Sequence, residues 1–187
     1  MKSFKVYIKE SLLDNEDDLA TDFTKEIEDF ITKIFRCPGY KIKRDANGDY
    51  IVNCDTVSSK YWETETLTNG LFKWGVVKDF LIDGLWKLKS LEGAPMECKE
   101  FICAECNSLE SFKGAPRKCV RFDCSACKSL ESFEGTLQEC EELYCPMCRN
   151  LKSFDGLPKD INDILNIRGC KKLLGLPLPQ INGKIWK

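Results

Sequence analysis

The sequence predicts an α+β protein whose larger part is a short β-solenoid of about five 21-residue coils. From residue 67 to residue 177 the pattern of apolar residues and cysteines recurs every 21 positions, while residues 1–66 lack this repeat and carry helical and hairpin patterns. A fixed period of this length is typical of stacked coils that bury one continuous core. We therefore expect an N-terminal α+β cap over 1–66, a solenoid over 67–177 and a C-terminal capping tail over 178–187.

A helix is predicted over about 16–35. Acidic residues open this segment, where they face the positive end of a helix, and apolar residues follow at helical spacing. The apolar set is Leu19, Phe23, Ile27, Phe30, Ile31 and Ile34. The helix is expected to end before Pro38 and Gly39, which break helices.

A β-hairpin is predicted over about 40–54, because two alternating segments flank Asn47-Gly48, a dipeptide typical of hairpin turns. The open end of a solenoid exposes apolar core and an unpaired strand edge. We therefore interpret the whole N-terminal segment as a cap. The alternative is a partner-binding module whose apolar helix face is partly free.

The repeat unit consists of columns of identical or similar residues, 21 positions apart. The columns are Leu88, Leu109, Leu130, Leu151; Cys98, Cys119, Cys140; Cys103, Cys124, Cys145; and Cys106, Cys127, Cys148. The preceding coil carries Val77, Ile82 and Leu85 in the cysteine positions. The following coil carries Ile161, Ile167 and Cys170 once one inserted residue is allowed.

Each coil is expected to contain one short strand. Phe101 and Cys103 alternate with polar positions, which predicts that both face the core. Gly93 and Pro95 mark a turn on the far side of the coil. The spacing Cys-x-x-Phe-x-Cys-x-x-Cys matches the leucine-rich-repeat template, and the segment after the strand is too short for a full helix. We expect extended or 3₁₀ structure in that segment.

The run Leu88-Lys89-Ser90-Leu91-Glu92-Gly93-Ala94-Pro95, repeated three more times with variation, resembles the leucine-rich-repeat-like proteins of tailed bacteriophages and gut bacteria. The resemblance covers about 110 of 187 residues and implies the fold, but carries little about function. The first ten residues are also similar to the N-termini of phage proteins, including the capsid-targeting leaders of internal head proteins.

The ends of the chain differ in charge. Residues 151–187 carry seven basic and three acidic residues, a net charge of +4, whereas residues 1–36 carry six basic and nine acidic residues, a net charge of −3. Ile181, Ile185 and Trp186 are expected to close the last coil. The charge difference is interpreted as ordinary solvated surface, with a docking signal as the alternative.

Composition excludes several classes of protein. The chain has 12 cysteines and no histidine, so it has no Ser-His-Asp or Cys-His catalytic pair and no histidine-bound metal. Its 28 basic and 30 acidic residues nearly balance, which gives no global field for nucleic acid or membrane. With no membrane-spanning run and no signal peptide, we expect a protein of a reducing compartment, the cytoplasm of a bacterial host cell, with virion association as an alternative.

The cysteines have three possible roles. The pairs Cys103/Cys106, Cys124/Cys127 and Cys145/Cys148 satisfy the spacing of four-cysteine zinc sites. However, the flanking coils place valine, isoleucine or leucine in the same positions, which favours packing of cysteine as a small apolar side chain. We therefore predict core packing, with zinc or an iron–sulfur cluster and structural disulfides as alternatives. No catalytic role is predicted for Cys37 or Cys54.

Outward strand positions line the predicted concave face, the surface with which such solenoids usually bind partners. These positions vary in size and charge while the inward ones repeat, which favours a binding surface; drift of merely solvated positions is the alternative. The candidate partner-binding residues are Asp79, Leu81, Glu100, Ile102, Arg121, Asp123, Glu142, Tyr144 and Met147. Asp163 is the predicted next member of the column that contains Asp79.

This composition predicts a protein partner. A single-strand nucleic-acid binder needs a basic groove with several stacked aromatic residues, and only Arg121 and Tyr144 contribute here. Carboxylate pairs such as Glu100 and Glu142 lie on an open sheet, which argues against a glycosidase-like site.

We expect a non-enzymatic protein-binding module that occludes or scaffolds a host or viral protein, with no cofactor, nucleic acid or membrane. Two alternatives stay open: a structural or packaged virion-associated protein, and a zinc- or iron–sulfur-binding regulator that uses the Cys-x-x-Cys pairs.

Overall fold

The computed structural model describes residues 23–60, 63–135 and 137–187, and it is built mostly of strands with one short α-helix. In chain order the elements are α1 (Thr24–Ile34), β1 (Phe35–Arg36), β2 (Lys41–Arg44), β3 (Tyr50–Ser59), β4 (Lys73–Leu81), β5 (Glu97–Ile102), β6 (Lys118–Asp123), β7 (Glu139–Tyr144), β8 (Asp160–Asn166), a 3₁₀ turn (Lys171–Leu173) and β9 (Lys184–Trp186).

Strands β3 to β9 form one parallel sheet in sequence order, and the chain returns to it once per coil. In the inner coils each residue pairs with the one 21 positions later, as Glu100 does with Arg121 and Arg121 with Glu142. The molecule is thus a β-solenoid of about six turns, which confirms the predicted solenoid and its 21-residue spacing.

The core consists of columns in which each inward side chain lies on its equivalent in the previous coil. The rings of Phe80 and Phe101 stack with centroids 5.4 Å apart, and those of Phe101 and Phe122 stack at 5.1 Å, with 12° between ring planes in both pairs. The leucines of the repeat, including Leu109 and Leu130, are fully buried. One continuous core therefore runs through all the coils.

The far side of each coil turns at the repeated glycine. Turns occur around Gly93, Gly114 and Gly156, as the sequence predicts. Most of the remaining chain on this side is extended or in turns, and the 3₁₀ turn occurs only in the last coil. Backbone hydrogen bonds link coils here too, from Leu91 N to Lys113 O at 2.7 Å and from Phe112 N to Glu134 O at 2.8 Å. Coils are therefore tied to one another on both sides of the core.

The N-terminal segment shares its core with the solenoid. Helix α1 buries Ile27, Ile31 and Ile34, which lie on one face at helical spacing. The helix begins at Thr24, and Phe23 is not helical, so the prediction of one continuous helix from about residue 16 is wrong. Residues 16–22 of that prediction lie outside the described residues.

Aromatic rings connect the helix to the first coils. Phe30 contacts Phe72 at a centroid distance of 6.2 Å, and Phe35 contacts Trp74 at 5.6 Å. Trp74 in turn contacts Phe80 of the phenylalanine stack at 5.4 Å. The N-terminal segment and the coils therefore form a single packed unit.

The hairpin over 40–54 is present as β2 and β3, which pair antiparallel from Lys41 opposite Asn53 to Arg44 opposite Tyr50. However, β3 also pairs parallel with β4, with Val57 opposite Phe80. The start of the solenoid at residue 67 is therefore corrected, because β3 is its first parallel strand.

The tail over 178–187 also contributes a strand. Strand β9 pairs parallel with β8, with Ile185 opposite Leu165. The predicted end of the solenoid at residue 177 is therefore corrected in the same way. About six turns replace the expected five because one strand is added at each end.

Substitution of Gly114 tests the close approach of the coils. Its φ is +81°, and an added Cβ would lie 2.3 Å from the backbone N of Glu92. We expect Gly114→Ala to lower the free energy of unfolding by about 2 to 5 kcal/mol, the sum of left-handed backbone strain and overpacking. Urea denaturation measures this change.

Gly175 provides the matched control. Its φ is +88°, yet no atom lies within 4 Å of an added Cβ. Gly175→Ala should cost only the backbone strain of about 1 to 2 kcal/mol. Equal losses in the two variants would show that the glycine column does not set the spacing of the coils.

Candidate protein-binding face

Outward side chains of the parallel strands form two neighbouring columns, which we call the outer face. The first column contains Asp79, Glu100, Arg121 and Glu142, and the second contains Leu81, Ile102, Asp123 and Tyr144. Positions two residues apart in a strand point to the same side of the sheet, so the columns lie side by side. The structure therefore brings eight of the nine predicted binding residues together on one surface.

The ninth residue, Met147, lies outside these columns. It follows β7 in a turn, with a φ of +62° and a side chain 46% exposed. Its thioether lies against Gly169, where an added Cβ would be 2.5 Å from the sulfur. Met147 therefore extends the candidate surface past the strand ends into the turns.

The fifth member of the first column is Ile164, and the prediction of Asp163 is wrong. An irregularity in the pairing of β7 and β8 shifts the register after Cys140, so that Glu142 lies opposite Ile164. The single inserted residue of this coil is accommodated as a bulge, which changes the side chain presented to the face.

Arg121 occupies the centre of the outer face. Its Nη2 donates to Asp123 Oδ2 at 3.2 Å, and its guanidinium lies 4.5 Å from the ring centroid of Tyr144. Its Nε is buried without a hydrogen-bond partner in the described part of the chain. The arginine thus joins two strands through one ion pair and one cation–π contact.

Asp123 is held in place from two sides. Besides Arg121, it accepts hydrogen bonds at Oδ1 from the backbone N of Ser125, at 3.0 Å, and from the Ser125 hydroxyl. Its side chain is only 13% exposed. These contacts order the centre of the face, which lowers the entropy that a partner would have to remove.

The face changes character along the solenoid. Toward β4, Asp79 and Glu100 form no ion pair within the described residues, and they lie beside Leu81 and Ile102. This part is therefore acidic and apolar, whereas the centre contains the Arg121 cluster.

At the other end, the structure adds a residue that the sequence interpretation assigned to the tail. Trp186 follows Tyr144 and Asn166 in the second column, and the guanidinium of Arg168 lies 4.9 Å from its ring centroid. The signal was present in the sequence, because Ile185 lies 20 residues after Leu165, close to the repeat length.

The cysteine columns lie inside the solenoid, on the opposite side of the sheet from this face. Each thiol in the column of Cys106 lies within hydrogen-bonding distance of a carbonyl of the preceding coil. The contacts are Cys106 to Ile82 O at 3.4 Å, Cys127 to Cys103 O at 3.2 Å, Cys148 to Cys124 O at 3.2 Å and Cys170 to Cys145 O at 3.0 Å. A protonated thiol is a weak donor, so these cysteines both fill the core and bond to its backbone.

All twelve cysteines are free thiols, and eleven of them are buried. Among the described residues, no group of three or more acidic or cysteine side chains is arranged to hold a metal ion. Burial raises the pKa of Cys98 and of Cys140 to about 12. A thiolate is the form that binds metal or attacks an electrophile, so burial suppresses both activities.

Comparison of the chain with protein-family models, with curated proteins and with solved structures found no match. Within the described ranges, no helix has the length and apolar character needed to cross a membrane.

The raised thiol pKa values predict a loss of stability at alkaline pH. An unfolded thiol loses its proton near pH 9, whereas the folded Cys140 thiol keeps it up to about 12. Its contribution is therefore fully present below pH 9 and is lost as the pH rises toward 12. Between pH 7.5 and 10.5 this thiol alone should cost about 2 kcal/mol of unfolding free energy.

Urea denaturation at the two pH values, on the wild type and on Cys140→Val, measures that contribution. Valine occupies the equivalent position at Val77, so the variant should fold and should lose about 2 kcal/mol less than the wild type over this range. An identical pH dependence in both proteins would contradict the assignment of Cys140 as a protonated core thiol.

Proposed function

We propose that this chain is a non-enzymatic protein-binding module that occludes or scaffolds a host or viral protein through its outer face. We further propose that it is a phage-encoded, leucine-rich-repeat-like solenoid whose N-terminal segment acts as its cap. The pairing of β1 and β2 with β3, and the packing of α1 on the same core, support the role of a cap.

The observation that carries the proposal is the contrast between the two sides of one sheet. Across β5, β6 and β7 the inward position after the strand is Cys103, Cys124 and Cys145, without change. The outward positions over the same strands change from Glu100 to Arg121 to Glu142, and from Ile102 to Asp123 to Tyr144. Packing constrains the first set, while the second set is free to match a partner.

The composition of the outer face supports a protein partner. Tyrosine and arginine are enriched at the centres of protein interfaces, and Tyr144 and Arg121 lie in contact there. Leu81 and Ile102 add apolar area beside them, and acidic side chains surround the cluster. This is the arrangement of an apolar and aromatic centre with a polar rim.

Two features support a role without catalysis. The sequence has no histidine to act as a general base. Glu100 and Glu142 lie two strands apart with Arg121 between them in the register, so the guanidinium separates these carboxylates. An acid–base pair needs two carboxylates aimed at one substrate bond, which this arrangement does not provide.

Recovery of partners from lysate of the bacterial host tests the proposal. Immobilised wild type is compared with Arg121→Glu/Tyr144→Ala, which removes the central contacts of the outer face. Loss of two central residues should reduce recovery of a specific partner by about ten-fold or more. Circular dichroism of each protein checks that the fold is unchanged.

The matched control is Arg149→Glu/Trp86→Ala, which makes similar changes at exposed positions in the turns outside the outer face. It should recover the same proteins as the wild type. If the outer-face variant also recovers them in full, the assignment of this face is wrong.

A further inference from the structure

The last coil presents core positions on which no further complete coil lies in the described part of the chain. Ile167, Cys170 and Leu173 occupy the inward positions that Cys145, Cys148 and Leu151 occupy one coil earlier. Strand β9 continues the sheet over Leu165, through Ile185, but its pairing ends at Trp186. The part of the core that follows the strand is covered only by the segment 174–178.

This end of the solenoid contains an apolar hollow of about 450 Å³. Its apolar lining is Ile167, Cys170, Leu173, Leu174, Leu176 and Leu178. Three of these leucines are exposed, with Leu174 at 70%, Leu176 at 38% and Leu178 at 45%. A cluster of exposed leucines beside a hollow is the kind of surface that binds an apolar segment.

A free strand edge lies beside the hollow. Strand β9 pairs with β8 alone within the described ranges, so its other edge presents unpaired N–H and C=O groups. At the opposite end of the sheet, β3 is already paired with β1 and β2 on its outer edge. A second copy therefore cannot add its first coil to β9 in a head-to-tail stack.

The charge at this end excludes the symmetric alternative. Residues 167–187 contain five basic residues and no acidic residue. Two such ends placed tail to tail would bring ten like charges together, which opposes association. The same charge attracts an acidic partner.

We propose that the C-terminal end of the solenoid binds an extended acidic peptide segment with apolar residues at alternate positions. The segment adds as a strand to the free edge of β9 and places its apolar side chains in the hollow, while its carboxylates face Lys171, Lys184 and Lys187. This surface is distinct from the Arg121 cluster of the outer face.

Fluorescence anisotropy with labelled synthetic peptides tests this proposal on the full chain. The probe is a ten-residue peptide in which valine alternates with glutamate or aspartate, and the charge-reversed peptide carries lysine instead. The wild type should bind the acidic peptide at least about ten-fold more tightly than the basic one, and more weakly as salt is raised. Absence of binding, or equal binding of both peptides, would overturn the proposal.

Two variants locate the site. Leu174→Glu/Leu178→Glu should weaken binding by about ten-fold or more, while Met96→Glu, at a position 61% exposed elsewhere on the surface, should not. Lys187→Glu, which leaves every apolar contact in place, should weaken binding as well. Unchanged affinity in both end variants would contradict the site.

The remaining outcomes are also decisive. Concentration-dependent dimers in sedimentation, abolished by Leu174→Glu/Leu178→Glu, would assign this end to a second copy and overturn the proposal. The variant Arg121→Glu/Tyr144→Ala should bind the acidic peptide as the wild type does. Failure of this proposal is therefore distinguishable from failure of the proposed outer-face function.

Discussion

Parallel pairing of the strands in register, one coil on the next, is the constraint on which the rest of this structure depends. Neighbouring parallel strands lie about 4.8 Å apart, so equivalent side chains of successive coils must fit within that spacing. Phenylalanine rings meet the requirement by stacking nearly parallel, as Phe101 does on Phe122. On the far side of the coil, backbone atoms approach so closely that only glycine fits at Gly114.

The same constraint explains why cysteine is so frequent. Its side chain is small enough to repeat in a column, and its thiol reaches the carbonyl of the preceding coil, as Cys127 reaches Cys103 O. Leu85 holds the equivalent position in the first coil, which shows that the position requires an apolar side chain and tolerates the absence of a thiol. Because burial keeps the thiols protonated, the columns that give the core its regularity are also chemically quiet.

The sequence predicted what the repeat controls. The inward columns, the turn glycines, the hairpin and the two columns of the outer face all follow from a strict 21-residue period. Strands β3 and β9 were not assigned to the solenoid, because Val57 pairs 23 residues before Phe80 and Ile185 lies 20 residues after Leu165, and neither strand carries the cysteines. The position of the bulge that presents Ile164 could not be read either, since an alignment places an insertion only between its nearest matched residues.

The central claim is that the cysteines form a packed core, and metal analysis combined with a thiol count tests it most directly. Protein purified without chelator is measured for zinc and iron, and its thiols are titrated before and after unfolding. The account predicts no stoichiometric metal, few reactive thiols in the folded protein, and all twelve thiols reactive once it is unfolded. One zinc ion or one iron–sulfur cluster per chain, or a shortfall of thiols after unfolding, would contradict it.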